Sequence, residues 1–297
     1  MKIFITGGCG FIGSHVADLC IEMKHEICVI DDLSTGREEN ASFPFYEIGI
    51  EDRAWIIHRF ETWKPDAIIH LAAQPSLQES IKNPIKDVQI NLLGTINLVR
   101  LALKYHVPRI VFASTSAVYA PRISGVYPED SPAGPLTPYG ISKWGAEQYI
   151  KNSGLSYVIL RLGNVYGPRQ IPLGENQLIP RALNHIYQGK PFLINGDGKQ
   201  KRDFVYIDDI TNAFVLSAIS NMNGTFNISS GLSYSVNEVL EIINWATQRE
   251  TIFKHGPEIN EPDYIQLVVT KAYYQLGWEA KITLRKGIDR TVEAWSK

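Results

Sequence analysis

Apolar residues along the chain form short runs that are separated by longer segments with a helical spacing of apolar positions. The short runs predict buried strands, and the spaced segments predict helices between them. The predicted strands are 2–6, 26–30, 67–71, 109–114 and 157–162. One predicted helix begins near Ser14, and two others cover about 85–105 and 139–151. Strands that alternate with helices indicate the α/β class, with a doubly wound parallel sheet.

The pattern changes after Gly163, where the sequence becomes irregular and rich in proline, glycine and asparagine. With one helix near 177–188, this change predicts the start of a smaller C-terminal α/β domain that binds substrate. A strand at 204–207 and a helix at 209–220 predict a return to the sheet domain. The predicted division is therefore 1–165 with a return segment at about 204–232 for the first domain, and 166–203 with 233–297 for the second.

Composition and charge limit the classes of protein to which this chain can belong. A chain of 297 residues that is 44% hydrophobic can bury a large core. Its net charge of −2 predicts no nucleic-acid or membrane partner. No apolar run approaches the roughly 20 residues of a membrane span, and the N-terminus enters a strand at once, so we expect a cytoplasmic protein. Cys9, Cys20 and Cys28 have no metal-ligand spacing, which predicts reduced, buried thiols and no metal site.

A glycine-rich segment lies between the first predicted strand and the first helix. It reads Gly7-Gly8-Cys9-Gly10-Phe11-Ile12-Gly13, and Asp31 and Asp32 follow the second strand. Glycines let the backbone approach a pyrophosphate at the helix N-terminus, and an acidic residue in that place bonds the ribose hydroxyls of NAD. A carboxylate there repels the 2′-phosphate of NADP. The alternative, an ordinary strand-to-helix turn, does not account for the strand context and the acids together.

Two polar groups are expected at the carboxyl ends of the strands, where open α/β sheets bind ligands. Ser114, Thr115 and Ser116 end one strand, and Tyr139 and Lys143 are four residues apart on one face of a helix. Tyrosine has a pKa of about 10, but a nearby ammonium and a positive nicotinamide ring both favour phenolate. This set predicts an acid/base tyrosine, against the alternative of a surface pair on a helix.

The chain resembles the extended short-chain dehydrogenase/reductase family, in its branch of NDP-sugar epimerases and dehydratases, and is most like UDP-glucose (UDP-galactose) 4-epimerases. The resemblance runs nearly end to end and rests on ten ordered motifs: TGGCGFIGSH, DDLSTG, HLAAQ, SIKNP, NLLGT, STSAVY, PYGISK, LRLGNVYGPR, RDFVYIDD and LGW. It implies a Rossmann-type sheet, NAD as cofactor, a nucleotide-sugar substrate and a homodimer formed through helices near 92–105 and 142–151.

Site residues follow from the same resemblance. It implies that Tyr139 is the acid/base, that Lys143 holds the nicotinamide ribose and lowers the pKa of the tyrosine, and that Thr115 assists the sugar oxygen. The substrate side would include Asn164, Gln177, Leu178 and Arg202. The implied cofactor contacts are Gly7, Gly10, Phe11, Ile12, Gly13, Asp31, Asp32, Ser34, Thr35, Gly36, Ile50, Leu71, Ala72, Ala73, Gln74, Asn91, Ser114, Tyr139 and Lys143. His70 is expected to be a core histidine.

Residues after Thr115 discriminate among the reactions of this branch. Dehydratases resemble one another in carrying Asp-Glu directly after the catalytic threonine, and decarboxylases tend to carry Glu at the second of these places. Here Ser116 and Ala117 stand there, which favours a 4-epimerase acting on UDP-glucose, UDP-galactose or a related UDP-hexose. The alternatives are an NAD-dependent nucleotide-sugar reductase or dehydrogenase and a noncatalytic NAD-binding protein.

Two positions depart from the family pattern. Gly49 stands where an acidic adenine contact is usual, which leaves only the backbone of Ile50 for that role. The segment 254–262 lacks the second diphosphate arginine, and Lys254 or His255 is a possible substitute. The identity of the nucleotide and of the sugar is therefore open at this level.

Overall fold

A seven-stranded parallel sheet forms the centre of the computed structural model, which describes residues 1–172, 177–249, 252–258 and 262–296. Its strand order is β11-β7-β5-β4-β1-β2-β3, and every pair of neighbours is parallel. The strands are β1 (Lys2–Thr6), β2 (Glu26–Asp31), β3 (Tyr46–Glu47), β4 (Ala67–His70), β5 (Arg109–Thr115), β6 (Val126–Tyr127), β7 (Ser156–Leu162), β8 (Asn164–Tyr166), β9 (Phe192–Asn195), β10 (Lys201–Tyr206), β11 (Gly224–Ile228), β12 (Ser233–Ser235), β13 (Phe253–Gly256) and β14 (Gln266–Leu267).

Helices cover both faces of this sheet. They are α1 (Phe11–Glu22), α2 (Arg53–Trp63), α3 (Leu77–Lys82), α4 (Pro84–Asp87), α5 (Thr95–Lys104), α6 (Pro138–Lys151), α7 (Leu178–Gln188), α8 (Ile207–Ile219), α9 (Val236–Thr247) and α10 (Leu284–Trp295). Ile3 and Ile5 of β1 pack with α1 and α8, whereas Phe4 packs with α2, α5 and α6 on the other face. Because successive side chains of a strand point to opposite faces, a wholly apolar strand supplies two cores. The doubly wound α/β fold expected from the sequence is confirmed.

The helix boundaries differ in detail from the predicted ones. α1 begins at Phe11 rather than near Ser14, because Gly10 is extended and ends the preceding loop there. The predicted helix over 85–105 is divided into α4, a wide π-helical segment at Val88–Gly94, and α5. Asn83 caps the start of this run by accepting a hydrogen bond from Lys86 N (3.2 Å), and Pro84 occupies the first helical position.

A separate cluster of elements lies beyond β8. β8, β10 and β12 form a three-stranded sheet, and β9 and β13 form a two-stranded one. Their apolar residues pack with α7, α9 and α10 in a core of their own. β10 pairs with β8 and β12, and its Val205 packs in the same core as Ile3 and Ile5 of the large sheet. α8 packs in that core too, and β11 pairs with β7 in the large sheet. The predicted return to the sheet domain over about 204–232 stays a prediction as a domain boundary.

The three cysteines are free and buried, as expected. Burial raises the pKa of Cys20 to about 12, so this thiol stays protonated and packs as a small apolar residue. Among the described residues, no helix combines the length and the apolarity needed to cross a bilayer.

Candidate active site

A cleft of about 270 Å³ opens at the carboxyl ends of β1, β2, β4 and β5. This is where an open parallel sheet is expected to bind a ligand. The sequence-predicted residues that line it are Gly7, Gly10, Phe11, Ile12, Gly13, Asp31, Asp32, Ser34, Thr35, Ile50, Leu71, Ala72, Ala73, Ser114, Tyr139, Lys143 and Gln177. The cofactor-side prediction and the catalytic prediction therefore meet in one cleft.

Two glycines make the floor of the cleft possible. Gly7 has φ +71°, and a Cβ there would lie 2.6 Å from the backbone nitrogen of Ala72. A Cβ on Gly13 would collide with the carbonyl oxygen of Gly7. The loop therefore lies tightly against both its own helix and the end of β4, and the N-terminus of α1 faces the cleft. A cradle that side chains would fill suits a pyrophosphate held by backbone N–H groups.

Asp31 and Asp32 differ in environment although they are neighbours. Asp31 is buried and accepts hydrogen bonds from Cys9 N (2.8 Å) and Leu33 N (2.9 Å), so its carboxylate joins the glycine loop to the end of β2. Burial raises its pKa, and these backbone donors partly oppose the rise. Asp32 is exposed and accepts from Ser34 Oγ (2.6 Å). A carboxylate has about four acceptor sites, so both groups retain capacity for ribose hydroxyls.

Tyr139 and Lys143 lie one turn apart on α6, opposite the end of β5. Thr137 caps this helix through Gly140 N (3.2 Å), and Pro138 occupies its first position. Tyr139 is hydrogen-bonded to Thr115, and Lys143 Nζ donates to Ala113 O (2.8 Å). The structure thus brings together Thr115, Tyr139 and Lys143.

The pKa values of Tyr139 and Lys143 are shifted in opposite directions. Burial and the carboxylate of Asp87 raise the pKa of Tyr139 to about 12, and the hydrogen bond with Thr115 opposes the rise. Burial lowers the pKa of Lys143 to about 8, against the attraction of the Asp87 and Glu147 carboxylates. Burial and Asp87 therefore favour the neutral phenol, and the lowering of the tyrosine pKa by Lys143 stays a prediction. A positive nicotinamide ring, if bound in the cleft, would also favour the phenolate.

Ser114 lines the cleft but its hydroxyl points to a buried ion pair. Ser114 Oγ donates to Glu147 Oε1 (2.6 Å). Arg161 holds the same carboxylate through Nε (2.9 Å) and Nη2 (2.7 Å), and Lys151 Nζ lies 3.0 Å from Oε2. Neither Glu147 nor Arg161 was among the residues singled out from the sequence. The sequence does carry a signal for Glu147, because this residue lies one helical turn after Lys143 on α6.

Gln74 and Asn91 lie behind the cleft wall instead of lining it. Asn91 Oδ1 accepts from Gln74 N (2.8 Å), and Asn91 Nδ2 donates to Gln74 O (3.0 Å) and to Asp87 Oδ1 (2.9 Å). Both side chains are buried. They hold the loop after β4 in place, and a direct contact with the cofactor stays a prediction for them.

His70 is a core histidine, as expected. Thr95 Oγ1 donates to Asn91 O (2.7 Å), so it accepts from His70 Nε2 (2.9 Å). His70 Nδ1 then accepts from Thr6 Oγ1 (2.7 Å). Burial lowers the pKa of His70 to about 3, which keeps the ring neutral.

The predicted substrate residues are spread over a wider area. Gln177 lines the cleft, and Leu178 begins α7 and packs on the smaller core. Asn164 and Arg202 lie on neighbouring strands, β8 and β10, outside the cleft lining. Gly36 also lies outside that lining, with a Cβ position 2.6 Å from Asp31 Oδ1.

Lys254 and His255 are exposed on β13, and His255 Nδ1 bonds Gly196 O (2.8 Å). Neither residue lines the cleft, so the structure does not support them as substitutes for the missing arginine. Residues 259–261 of that segment lie outside the described residues.

Other residues line the cleft, and the sequence analysis assigned them no role. They are Arg37, Asn40, Ile48, Gly49, Glu51, Arg169, Gln170 and Ile171 among others. Arg169 has φ +65° and its Nη1 lies 2.8 Å from Asp18 Oδ2 of α1. Its place directly after Gly167-Pro168, in a motif already recognised, was the signal for it.

The sequence of this chain matches the model of a known protein family and is similar to individual proteins. Residues 3–229 match the model of the NAD dependent epimerase/dehydratase family. The chain is 38% identical over 304 residues to a putative UDP-glucose 4-epimerase of Methanocaldococcus jannaschii, covering 99% of this chain and 98% of the relative.

Solved structures agree with the sequence match. The fold superposes with a TM-score of 0.92 on the UDP-glucose 4-epimerase of Thermotoga maritima with UDP-glucose, at 36% identity, covering 100% of this chain and 99% of the other. It superposes with a TM-score of 0.93 on the Thermus thermophilus UDP-glucose 4-epimerase in complex with NAD, at 31% identity and with 100% and 99% covered. Together with the glycine cradle and the aspartates, these matches confirm NAD as the cofactor and show that the chain belongs to the NAD-dependent epimerase/dehydratase family, the extended short-chain dehydrogenases/reductases.

Proposed function

We propose that this protein is a UDP-sugar 4-epimerase that interconverts UDP-glucose and UDP-galactose, or a related UDP-hexose pair. The observation that carries the proposal is that Tyr139 and Lys143 line a cleft that continues into the glycine loop, with Thr115, just outside the lining, hydrogen-bonded to Tyr139. The similarity to enzymes that act on UDP-glucose supports the choice of nucleotide and sugar.

Residues next to Thr115 support an epimerase over a dehydratase or a decarboxylase. Ser116–Val118 form a short 3₁₀ turn that Thr115 caps by accepting from Ala117 N (3.2 Å). Elimination of water needs an additional acid and base near the sugar. This turn offers a hydroxyl and two apolar side chains in the places where those enzymes carry carboxylates.

In the proposed reaction, Tyr139 takes the proton of the sugar 4-hydroxyl group, and Thr115 bonds the same oxygen. NAD, when bound, accepts the hydride of C4 and returns it. The 4-keto sugar turns within the pocket between these two events, so the hydride would return to the opposite face of C4. Tyr139 gives its proton back to the C4 oxygen, and the other epimer results. The ammonium of Lys143 lies one turn away and favours the charged form of the phenol as the proton moves.

The direct test is to incubate the purified protein separately with UDP-galactose, UDP-glucose, UDP-N-acetylglucosamine and UDP-glucuronic acid, without added cofactor, and to identify the products by NMR. Conversion of one sugar to its C4 epimer, with no net change in NAD(H) absorbance, is the expected result. Net consumption of added NAD(H) would instead identify a reductase or dehydrogenase. No conversion, even with NAD supplied, would refute the proposal.

Tyr139→Phe tests the assigned role of the phenol. The variant removes the acid/base group but keeps the ring that packs in the cleft, so we expect kcat to fall about 10³-fold while NAD stays bound. The measurement is kcat for the sugar identified above, together with the NAD content of the purified variant. Near-normal epimerisation by this variant would rule out the mechanism.

We also propose a cytoplasmic homodimer. Large apolar side chains are exposed along the helices that the resemblance assigns to the interface, including Leu93 (47% exposed), Leu103 (41%) and Tyr149 (54%). An apolar surface of this kind is stabilised by burial against a second copy. Light scattering that gives the mass of one 33.4 kDa chain would contradict the dimer.

A further inference from the structure

Asp87 is a carboxylate that the proposed reaction does not use, and it lies behind the cleft wall, where it bonds Gln74, Asn91 and Ser142. It is the last residue of α4 and is completely buried. Its oxygens accept from Ser142 Oγ (2.6 Å), Asn91 Nδ2 (2.9 Å) and Gln74 Nε2 (3.0 Å). Three donors are thus directed at the two oxygens of one carboxyl group.

One oxygen of Asp87 holds the catalytic helix. Ser142 lies beside Lys143 in α6, and its hydroxyl is also 3.0 Å from the carbonyl oxygen of Tyr139. The bond from Ser142 to Asp87 therefore attaches the turn that carries both Tyr139 and Lys143. A short hydrogen bond to an ionised acceptor is among the stronger kinds in proteins.

The other oxygen holds the loop on the cofactor side. It accepts from Gln74 and from Asn91, and Asn91 bonds both backbone groups of Gln74. Ala72, Ala73 and Pro75, which flank Gln74, line the cleft. A single buried carboxylate thus joins the cleft-lining loop after β4 to the helix that bears the proposed acid/base residue.

Asp87 is also an electrostatic neighbour of both catalytic groups. Its negative charge raises the pKa of Tyr139 and opposes the lowering of the pKa of Lys143 by burial. The other charged group acting on Lys143 is Glu147 of α6, which Arg161 neutralises. His70 of β4 is neutral at these pH values because burial lowers its pKa to about 3.

We propose that Asp87 is a positioning residue, which fixes α6 against the loop after β4 at Ser142, the residue next to Lys143, and acts on the Lys143 ammonium by its charge. The role of Asp87 in the reaction rests on the proposed epimerase function. A purely structural role would require only that the three donors be satisfied, and a neutral amide of the same shape would serve it nearly as well.

Two variants separate these roles. Asp87→Asn keeps the shape and removes the charge, whereas Ser142→Ala keeps the charge and removes the attachment to α6. The readout is the titration midpoint of Lys143, followed by NMR of the protein as purified with ¹³Cε-labelled lysine, with Lys143→Arg used to assign the signal. Steady-state kcat against pH is measured beside it.

For Asp87→Asn we expect the Lys143 midpoint to fall by about one pH unit, because the ammonium loses an attractive charge. For Ser142→Ala we expect an unchanged midpoint and a fall in kcat of about tenfold, because the helix is less firmly placed. An unchanged midpoint in Asp87→Asn would overturn the electrostatic part. An unchanged kcat in Ser142→Ala would overturn the positioning part.

The titration does not depend on turnover. A shifted midpoint in a protein that converts none of the four UDP-sugars would leave the electrostatic part of the inference standing and refute the proposed function. An unshifted midpoint in a protein that epimerises would do the opposite. If Asp87→Asn does not fold, as judged by circular dichroism, the kcat of Ser142→Ala decides the positioning role.

Discussion

The two walls of the cleft are built in different ways. The glycine wall, which consists of residues 7–13 and 71–73, depends on the close approach of one backbone to another. The charged wall, which consists of β5 and α6, depends on buried ionised side chains, with Glu147 bound to Arg161 and Asp87 bound to Ser142. In the first wall, a Cβ at Gly7 or Gly13 would clash with neighbouring backbone atoms. In the second wall, removing one partner of the buried ion pair would leave a charge unpaired, which is strongly destabilising.

This difference matters because the two walls meet different parts of the ligands. Backbone N–H groups and a helix terminus hold an anion without any titratable group. Proton transfer needs a group with an adjusted pKa, and such adjustment requires buried charges at fixed positions. We therefore expect changes of shape to affect the glycine wall most and changes of charge to affect the other wall most.

The largest expected effect on stability comes from Glu147→Gln. The change leaves the guanidinium of Arg161, which is 5% exposed, without its bidentate partner. We expect the free energy of unfolding to fall by about 3–5 kcal/mol. Urea unfolding measures it, and Glu39→Gln is the matched control because Glu39 pairs with Arg37 at the exposed surface. A similar loss in both variants would contradict the comparison.

The ion pair between Glu147 and Arg161 also predicts that the stability of the protein depends on pH. Burial alone would raise the pKa of Glu147, but the hydrogen bonds and charge of Arg161 outweigh burial, so the pKa is lowered. A carboxyl group with a lowered pKa in the folded state stabilises the protein above its unfolded pKa of about 4.3, and this contribution is lost as the pH falls through the folded value. Acid unfolding of the native protein should therefore include a contribution that Glu147→Gln lacks.

A smaller effect is expected from Gly7→Ala on the opposite wall. The added Cβ would lie 2.6 Å from the backbone nitrogen of Ala72, and we expect a loss of about 1–3 kcal/mol together with weaker NAD binding. Gly154→Ala is the matched control, because Gly154 also has a positive φ (+85°) but has no atom within 4 Å of a Cβ. Equal losses of stability in the two variants would show that backbone strain, and not contact between the backbones, limits this wall.

The smallest effect is expected from Asp31→Asn. The change removes the carboxylate nearest the glycine loop, and we expect the affinity for NAD to fall about tenfold, or 1.4 kcal/mol, with a smaller preference over NADP. Calorimetric titration of cofactor-free protein with NAD and NADP gives both values. Asp32→Asn is the comparison variant, and a larger effect in that variant would assign the ribose contact to Asp32.

Much of this protein is determined by local sequence. The apolar runs predict five of the seven strands of the large sheet, all but β3 and β11, because a strand buried on both faces has few polar positions. The spacing from Tyr139 to Lys143 predicts their common face, because the helical period fixes it. Gly7 and Gly13 predict the cradle for a similar reason, since glycine adopts a positive φ at little cost and leaves room for a backbone contact of this kind.

Tertiary structure decided the remainder. The strand over Lys201–Tyr206 has the composition of a sheet strand, but its pairing with β8 and β12 depends on partners that are distant in the chain. The raised pKa of Tyr139 depends on burial and on Asp87, which lies 52 residues earlier in the sequence. Local spacing fixes directions along one helix or strand. Burial and the distance between charges are set by how separate elements pack, and those quantities determine the chemistry of the site.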